Sequence, residues 1–110
     1  MMNLFADYYK ERQHLETILS TYGFIVYGIH EDHALLNDIY VTPAHRGTKE
    51  ALNLYEQFIA IAKTKGCKRI FANFHISDQA ASQNITTCLK RGFKLISAVN
   101  QIITVCKELE

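Results

Sequence analysis

The sequence predicts an α/β fold in a single domain, with a mixed β-sheet that carries helices on both faces. The chain has 110 residues, the usual size of one domain. Its 48% hydrophobic and 21% charged residues are ordinary for a globular protein. Segments with helical periodicity are interspersed with short runs of β-branched and aromatic residues. Because helices that alternate with strands must cover the sheet, we expect a helical layer on each face.

The first half of the chain is predicted to hold one helix and two strands. Proline cannot donate to a strand ladder, so Pro43 should end the second strand. Strict alternation along that strand would place Leu36, Asp38 and Tyr40 on one face. The predicted elements are a helix over residues 4–20, a strand over 24–29, a polar turn over 30–33 and a strand over 34–42.

The second half has the clearest helical pattern in the chain, an apolar stripe at spacings of three and four residues. Gly66 is the expected C-cap of this helix, and Ser77 or Asp78 the expected cap of the next. A final hairpin should turn at Asn100 and Gln101, although neither is glycine. The predicted elements are helices over residues 48–65 and from 77 or 78 to about 91, and strands over 67–76, 93–99 and 102–109.

Residues 39–52, IYVTPAHRGTKEAL, are the most informative segment of the sequence. They predict the end of a strand, a loop that holds Pro43, Arg46 and Gly47, and the start of a helix. The first turn of a helix has free N–H groups, and its macrodipole favours negative charge. A strand that leads through such a loop into a helix is therefore a natural anion site.

This segment resembles the acetyl-CoA pyrophosphate loop of the GNAT N-acetyltransferase superfamily, whose pattern is Val-x-Pro-x-x-Arg/Gln-x-x-Gly-x-Gly/Ala. Val41, Pro43, Arg46 and Ala51 match that pattern, and Gly47 matches a glycine that often follows the arginine. A second family pattern, a helix ending in Tyr-x-x-x-Gly-Phe before a hairpin, is matched by its Gly-Phe at residues 92–93 and by the predicted hairpin. The resemblance covers roughly residues 23–109.

The resemblance implies a GNAT-like, mostly antiparallel sheet with a truncated N-terminal region. It also implies acetyl-CoA as co-substrate. The backbone of Ile39 and Val41 would pair with pantetheine. The pyrophosphate cradle would be built, mainly through backbone amides, from Arg46, Gly47, Thr48, Lys49, Glu50 and Ala51.

The sequence departs from the family pattern at several functional positions. The central glycine of the loop is replaced by Lys49, and Glu50 adds a carboxylate close to the expected anion. A Lys49 side chain turned outward would leave the amides open, whereas one folded across the loop would close them. The family tyrosine, often the acid that reprotonates the thiolate, is Cys88. The family asparagine is Ala81, although Asn84 lies one turn further on.

Two residues are candidates for a general base. Asp38 lies on the strand before the loop, and His75 lies on the following strand. A histidine titrates near neutrality and can accept a proton directly or through water. The alternative is that Asp38 is a solvated strand residue and His75 a hydrogen-bonded polar group.

Two functions remain open on the sequence. The first is an acetyl-CoA-dependent N-acetyltransferase that acts on a primary amine of a small molecule or protein. The second is a catalytically degenerate GNAT-like structural or protein-binding module, for example a phage-encoded one. A truncated N-terminal region would leave an exposed edge and apolar surface, which makes a homodimer an expectation as well.

Several classes of function are not favoured. The net charge of +1 does not indicate a nucleic-acid or membrane partner. No apolar run approaches the ~20 residues needed to span a bilayer, and no signal peptide is apparent. We expect a cytoplasmic protein with reduced thiols at Cys67, Cys88 and Cys106. Residues 30–33 lie in a predicted turn with no further ligand cluster, so no metal site is predicted.

Overall fold

The computed structural model describes residues 3–110. It contains three α-helices, six strands and a short 3-10 helix at Pro43–His45. The helices are α1 (Leu4–Gln13), α2 (Glu50–Thr64) and α3 (Ala81–Lys90). The strands are β1 (Glu16–Leu19), β2 (Gly23–His30), β3 (His33–Val41), β4 (Arg69–His75), β5 (Lys94–Val99) and β6 (Ile102–Glu108).

The strands form one mixed sheet in the order β1-β2-β3-β4-β6-β5. The β3–β4 pair is parallel, and the other four pairs are antiparallel. Helix α1 packs on one face, where the rings of Phe5 and Phe24 lie 4.7 Å apart. Helix α2 packs on the other face, where Phe58 lies 5.3 Å from Tyr27. The predicted α/β fold, a mostly antiparallel sheet with helices on both faces, is confirmed.

The prediction of one helix over residues 4–20 is wrong in its second half. Helix α1 ends at Gln13, because His14 adopts a left-handed conformation with φ of 56°. The β-branched Thr17 and Ile18 then pair with β2 as part of β1. Ile18 is only 8% exposed, so its apolar side chain contributes to the core from a strand and not from a helix.

The expected alternation along β3 is interrupted by a bulge. Val26 on β2 pairs with Asp38 while Tyr27 pairs with Leu36, so Asn37 is an extra residue on β3. An extra residue reverses the alternation beyond it. The prediction that Leu36, Asp38 and Tyr40 share a face is therefore wrong. Leu36 instead packs into the same core as Val41.

The sheet opens between β3 and β4. The parallel pairing ends where Leu36 lies beside Ala72, although β3 continues to Val41. At its far end, Thr42 N donates to Tyr22 O across a distance of 2.8 Å. Because ladder bonds alternate, the backbone groups of Val41, and of the residue two before it, face the opening instead of β2.

The turn chemistry agrees with part of the predictions. The C-cap of α2 is Lys65 and not Gly66 as predicted, and Gly66 follows it with a φ of +81°, the left-handed conformation that commonly ends a helix at that next position. Asn100 and Gln101 form the β5–β6 turn with φ values of 52° and 66°. The prediction that Ser77 or Asp78 caps α3 is wrong. The helix begins at Ala81 with Ala80 as its N-cap, and Asp78 caps a preceding turn by accepting from Ala80 N.

Candidate active site

A cavity of about 300 Å³ lies where β3 leaves β4, and α2 and α3 form its walls. Its apolar side is formed by β3 and β4 residues such as Leu36 and Phe74. Eight residues were assigned to the cofactor from the resemblance, and six of them line this cavity: Ile39, Val41, Arg46, Gly47, Thr48 and Ala51. Lys49 and Glu50 do not line it.

The loop before α2 carries free backbone amides, and three of the residues that bear them, Gly47, Thr48 and Ala51, line this cavity. Within residues 3–110, no acceptor is present for the N–H groups of Gly47, Thr48, Lys49 and Ala51. The Glu50 amide differs, since it donates to Thr48 Oγ1 at 3.2 Å. Four unpartnered donors at a helix N-terminus are a suitable environment for an anionic group.

The two charged departures from the family pattern do not obstruct these amides. Lys49 is exposed and lies outside the cavity lining, so its side chain leaves the loop open. The carboxylate of Glu50 accepts a short hydrogen bond from the hydroxyl of Ser20, which precedes β2. That bond holds the negative charge of Glu50 on the side of β1 and β2.

A hydrogen bond from Arg46 holds the loop against the end of β3. Its Nε donates to Val41 O at 2.9 Å, and its guanidinium lies 5.6 Å from the centre of the Tyr40 ring. His45 strengthens the same junction, because its ring stacks on Tyr22 with 3.4 Å between centroids. These contacts fix the position of the amides relative to the opening in the sheet.

The wall formed by α2 and α3 contains polar groups that the sequence did not identify. Tyr55 on α2 and Arg91, directly after α3, line the cavity together with Cys88. Burial raises the pKa of the Cys88 thiol to about 11 and that of Tyr55 to about 12. Both groups are therefore protonated at neutral pH. Asn84 also lines the cavity, whereas Ala81 is buried and does not line it.

The two candidate bases lie beside the opening but outside the cavity lining. Asp38 pairs with Val26, which shares the face of β2 that packs on α1. Alternation along β4 places His75 opposite Phe74 of the cavity. Desolvation and the nearby Asp78 carboxylate raise the pKa of Asp38, although its bond from Ile39 N, 2.9 Å long, opposes the shift.

The second candidate base is held by its own turn. His75 Nδ1 lies 2.6 Å from Ser77 Oγ and accepts from Ser77 N at 3.2 Å. These bonds occupy Nδ1 and leave Nε2 as the nitrogen open to a proton or a ligand. The opening thus has the cavity on one sheet face and the two titratable groups on the other.

Two further observations concern the described part of the chain. Residues 3–110 contain no group of three or more histidine, cysteine, aspartate or glutamate side chains arranged to hold a metal ion. Among the helices of the same residues, none has the length and apolar character that crossing a membrane requires.

The fold, with its opened sheet and the cavity beside it, is that of an α/β domain shared with known structures, and comparison of the sequence identifies the family. The model of the acetyltransferase (GNAT) family matches residues 3–93. The chain therefore belongs to the GNAT family, which confirms the resemblance found in the sequence. No curated protein sequence matches the chain.

Solved structures of the same fold include several GNAT acetyltransferases. The PaiA N-acetyltransferase of Thermoplasma acidophilum, in complex with coenzyme A, has a TM-score of 0.77 at 20% identity, with 96% of this chain and 69% of that chain covered. A GNAT acetyltransferase of Elizabethkingia anophelis with bound acetyl-CoA has a TM-score of 0.76 at 16% identity, with coverage of 98% and 84%. An acetyltransferase of Bacillus cereus has a TM-score of 0.69 at 16% identity, with coverage of 99% and 94%.

Proposed function

We propose that this protein is an acetyl-CoA-dependent N-acetyltransferase that transfers an acetyl group to a primary amine. The observation that carries the proposal is the set of four unpartnered amides, at Gly47, Thr48, Lys49 and Ala51, beside a cavity in the sheet. Family membership and the fold shared with proteins that bind coenzyme A or acetyl-CoA support it.

The co-substrate would span the cavity from the loop to the opening. Its pyrophosphate would accept from the loop amides. Its pantetheine arm would pair with Ile39 O and Val41 N, since Ile39 N already donates to Asp38 and Val41 O already accepts from Arg46. This arrangement would bring the thioester to the opening between β3 and β4. Placing both reactants in one narrow opening supplies much of the rate of such a transfer.

The acceptor amine would approach from the opposite face of the sheet, where Asp38 and His75 lie. The nitrogen attacks the thioester carbonyl carbon, a C–N bond forms and the C–S bond breaks. We propose Asp38 and His75 as the candidates that take up the proton of the nitrogen. The raised pKa of Asp38 favours that role, since a base is most effective with a pKa near the working pH.

A catalytically degenerate binding module is the second candidate. The observation in its favour is that Ala81 and Cys88 replace a family asparagine and tyrosine with small, buried side chains. One assay distinguishes the transferase from the binding module. A transferase releases free thiol from acetyl-CoA when an amine is supplied, whereas a binding module binds its ligand without turnover.

The first test is calorimetric titration with acetyl-CoA of the wild-type protein and of Arg46→Ala. Losing the bond from Arg46 to Val41 O and its positive charge should weaken binding roughly tenfold, since hydrogen bonds to charged groups contribute about 1.5–3 kcal/mol. Arg12→Ala is the matched control, because Arg12 is an exposed arginine on α1. Absence of binding by the folded wild-type protein at millimolar acetyl-CoA would refute the proposal.

We also propose a homodimer, which the sequence led us to expect. Strand β5 is an edge strand, and all six of its residues are exposed. Leu95, Ile96 and Val99 are 59%, 53% and 62% exposed. An apolar edge of this length is a template for pairing with the same strand of a second copy.

A further inference from the structure

Tyr55 is a buried phenol at the wall of the cavity. It lies on α2, is 9% exposed and has its ring 6.4 Å from that of Phe93. The guanidinium of Arg91 lies 5.0 Å from the ring centre. Tyr55 thus lies between the core and the cavity, with a cation against its ring.

The hydroxyl of Tyr55 has a donor partner but no acceptor. Lys107 Nζ lies 3.4 Å from the hydroxyl and 2.7 Å from Arg91 O. An ammonium can only donate, so the Tyr55 oxygen accepts from Lys107 and its own proton remains to be donated. Within the described part of the chain, 3–110, no atom accepts that proton.

An unused donor at the wall of a cavity is satisfied by whatever occupies that cavity, which is water in the free protein and a ligand when one is bound. The cavity is the space that Tyr55 lines, so a molecule bound there is the expected acceptor. Burial raises the pKa of Tyr55 to about 12, so its hydroxyl keeps its proton in the free protein, and the nearby Arg91 guanidinium acts against this shift. Cys88 is also protonated, but a thiol is a weak donor.

When an amine breaks a thioester, the sulfur that leaves must be protonated, and a donor of this kind can protonate it. The electron pair of the breaking C–S bond goes to sulfur, the nitrogen forms the new C–N bond and loses a proton, and the sulfur needs one. Proton donation to the leaving group is a standard catalytic device. If Tyr55 gives up its proton, the phenolate that results lies against the cations of Lys107 and Arg91, and water returns the proton.

We infer that the Tyr55 hydroxyl donates to the sulfur of the acyl-CoA in this cavity, directly or through one water, and protonates the departing thiolate. The inference rests on the proposed function and assigns its proton donor. It makes Tyr55 a catalytic residue on α2, with Lys107 as the residue that positions it.

The test compares binding of CoA and of desulfo-CoA at pH 9, where much of the CoA thiol is ionised. A thiolate accepts a charged hydrogen bond, which contributes about 1.5–3 kcal/mol. The wild-type protein should therefore bind CoA roughly tenfold or more tightly than desulfo-CoA. Tyr55→Phe should lose this preference, and its kcat with acetyl-CoA should fall by about 100-fold with little change in KM.

Tyr27→Phe is the matched control, because Tyr27 is a buried tyrosine on β2 that does not line the cavity. It should keep the preference for CoA. Equal binding of CoA and desulfo-CoA by the wild-type protein, or a preference that survives in Tyr55→Phe, would overturn the inference and leave the proposed function standing. Failure of the wild-type protein to bind either ligand would overturn both. If Tyr55→Phe does not fold, Lys107→Met should lower the preference, and an unchanged preference would again overturn the inference.

Discussion

Single residues at the loop show why changed side chains do not close the site. The anion donors are backbone amides, so replacement of a family glycine by Lys49 leaves them in place. The carboxylate of Glu50 is bonded to Ser20, and Arg46 is bonded to Val41 O. Glu50 and Arg46, a negative and a positive group close to the expected anion, are therefore each held by a hydrogen bond. The negative one is held away from the amides.

Asp38 leads to a prediction about the pH dependence of stability. Its pKa is raised in the folded protein, mainly by desolvation and also by Asp78. Because the folded protein binds the Asp38 proton more tightly than the unfolded chain, proton binding adds to the free energy of unfolding. This contribution is complete below the ordinary carboxyl pKa near 3.8 and is lost as the pH rises through the pKa of the folded protein. Asp38→Asn keeps an oxygen that accepts from Ile39 N. It should therefore be more stable than wild type at pH 7, by less than about 1 kcal/mol because the side chain is exposed.

Urea unfolding of both proteins at pH 3 and pH 7 measures this effect. The advantage of Asp38→Asn should disappear at pH 3, where the wild-type carboxyl is protonated in the folded and unfolded states. Glu56→Gln, on the exposed side of α2, is the control for a change of net charge. A stability gain of the same size at both pH values would show that desolvation of the Asp38 carboxylate is not its cause.

Among the elements, the β5–β6 hairpin carries strain that a single substitution relieves. Gln101 has a φ of 66°, a left-handed conformation that costs a residue with a side chain about 1–2 kcal/mol. Gln101→Gly removes that cost but gives the unfolded chain more freedom, so we expect a net gain of roughly 0.5–1 kcal/mol. The bond from Ile76 N to Gln101 O uses the backbone and is retained.

Equilibrium urea unfolding measures this gain as a rise in the midpoint at constant slope. Ser97→Gly, in the strand of the same hairpin, is the matched control and should lower stability, because glycine weakens a strand. A loss of stability in Gln101→Gly would mean that the side chain makes a contribution larger than the backbone strain.

The elements differ in how far the sequence could predict them. Helix α2 was predictable because one long apolar stripe and a terminal glycine determine it. Strand β1 was not, because Leu15 and Ile18 are compatible with helical spacing and only pairing with β2 distinguishes the alternatives. The bulge at Asn37 also depends on its partner strand. Tyr55 illustrates the same limit within the site, since its role depends on Lys107 from the far end of the chain.

At the scale of the whole molecule, the opening in the sheet connects two faces that carry different functional groups. Parallel pairing of β3 and β4 ends early, and the last antiparallel hairpin then continues the sheet from β4. The face with α2 and α3 holds the cavity and its free amides, whereas the face with α1 holds Asp38 and His75. A reaction between two substrates at this opening would therefore bring them from opposite sides.

The two edges of the sheet differ in a way that predicts how copies associate. Strand β1 has four residues and packs against α1, whereas β5 has six exposed residues. Ile96→Lys combined with Val99→Lys places charge on the β5 edge, which opposes edge-to-edge pairing. Light scattering should give twice the 12.6 kDa of one chain for the wild-type protein and a single chain for this variant. Leu19→Lys, on β1, is the control and should remain dimeric. A wild-type mass of one chain at high micromolar concentration would refute the dimer, and an unchanged dimer in the β5 variant would place its interface elsewhere.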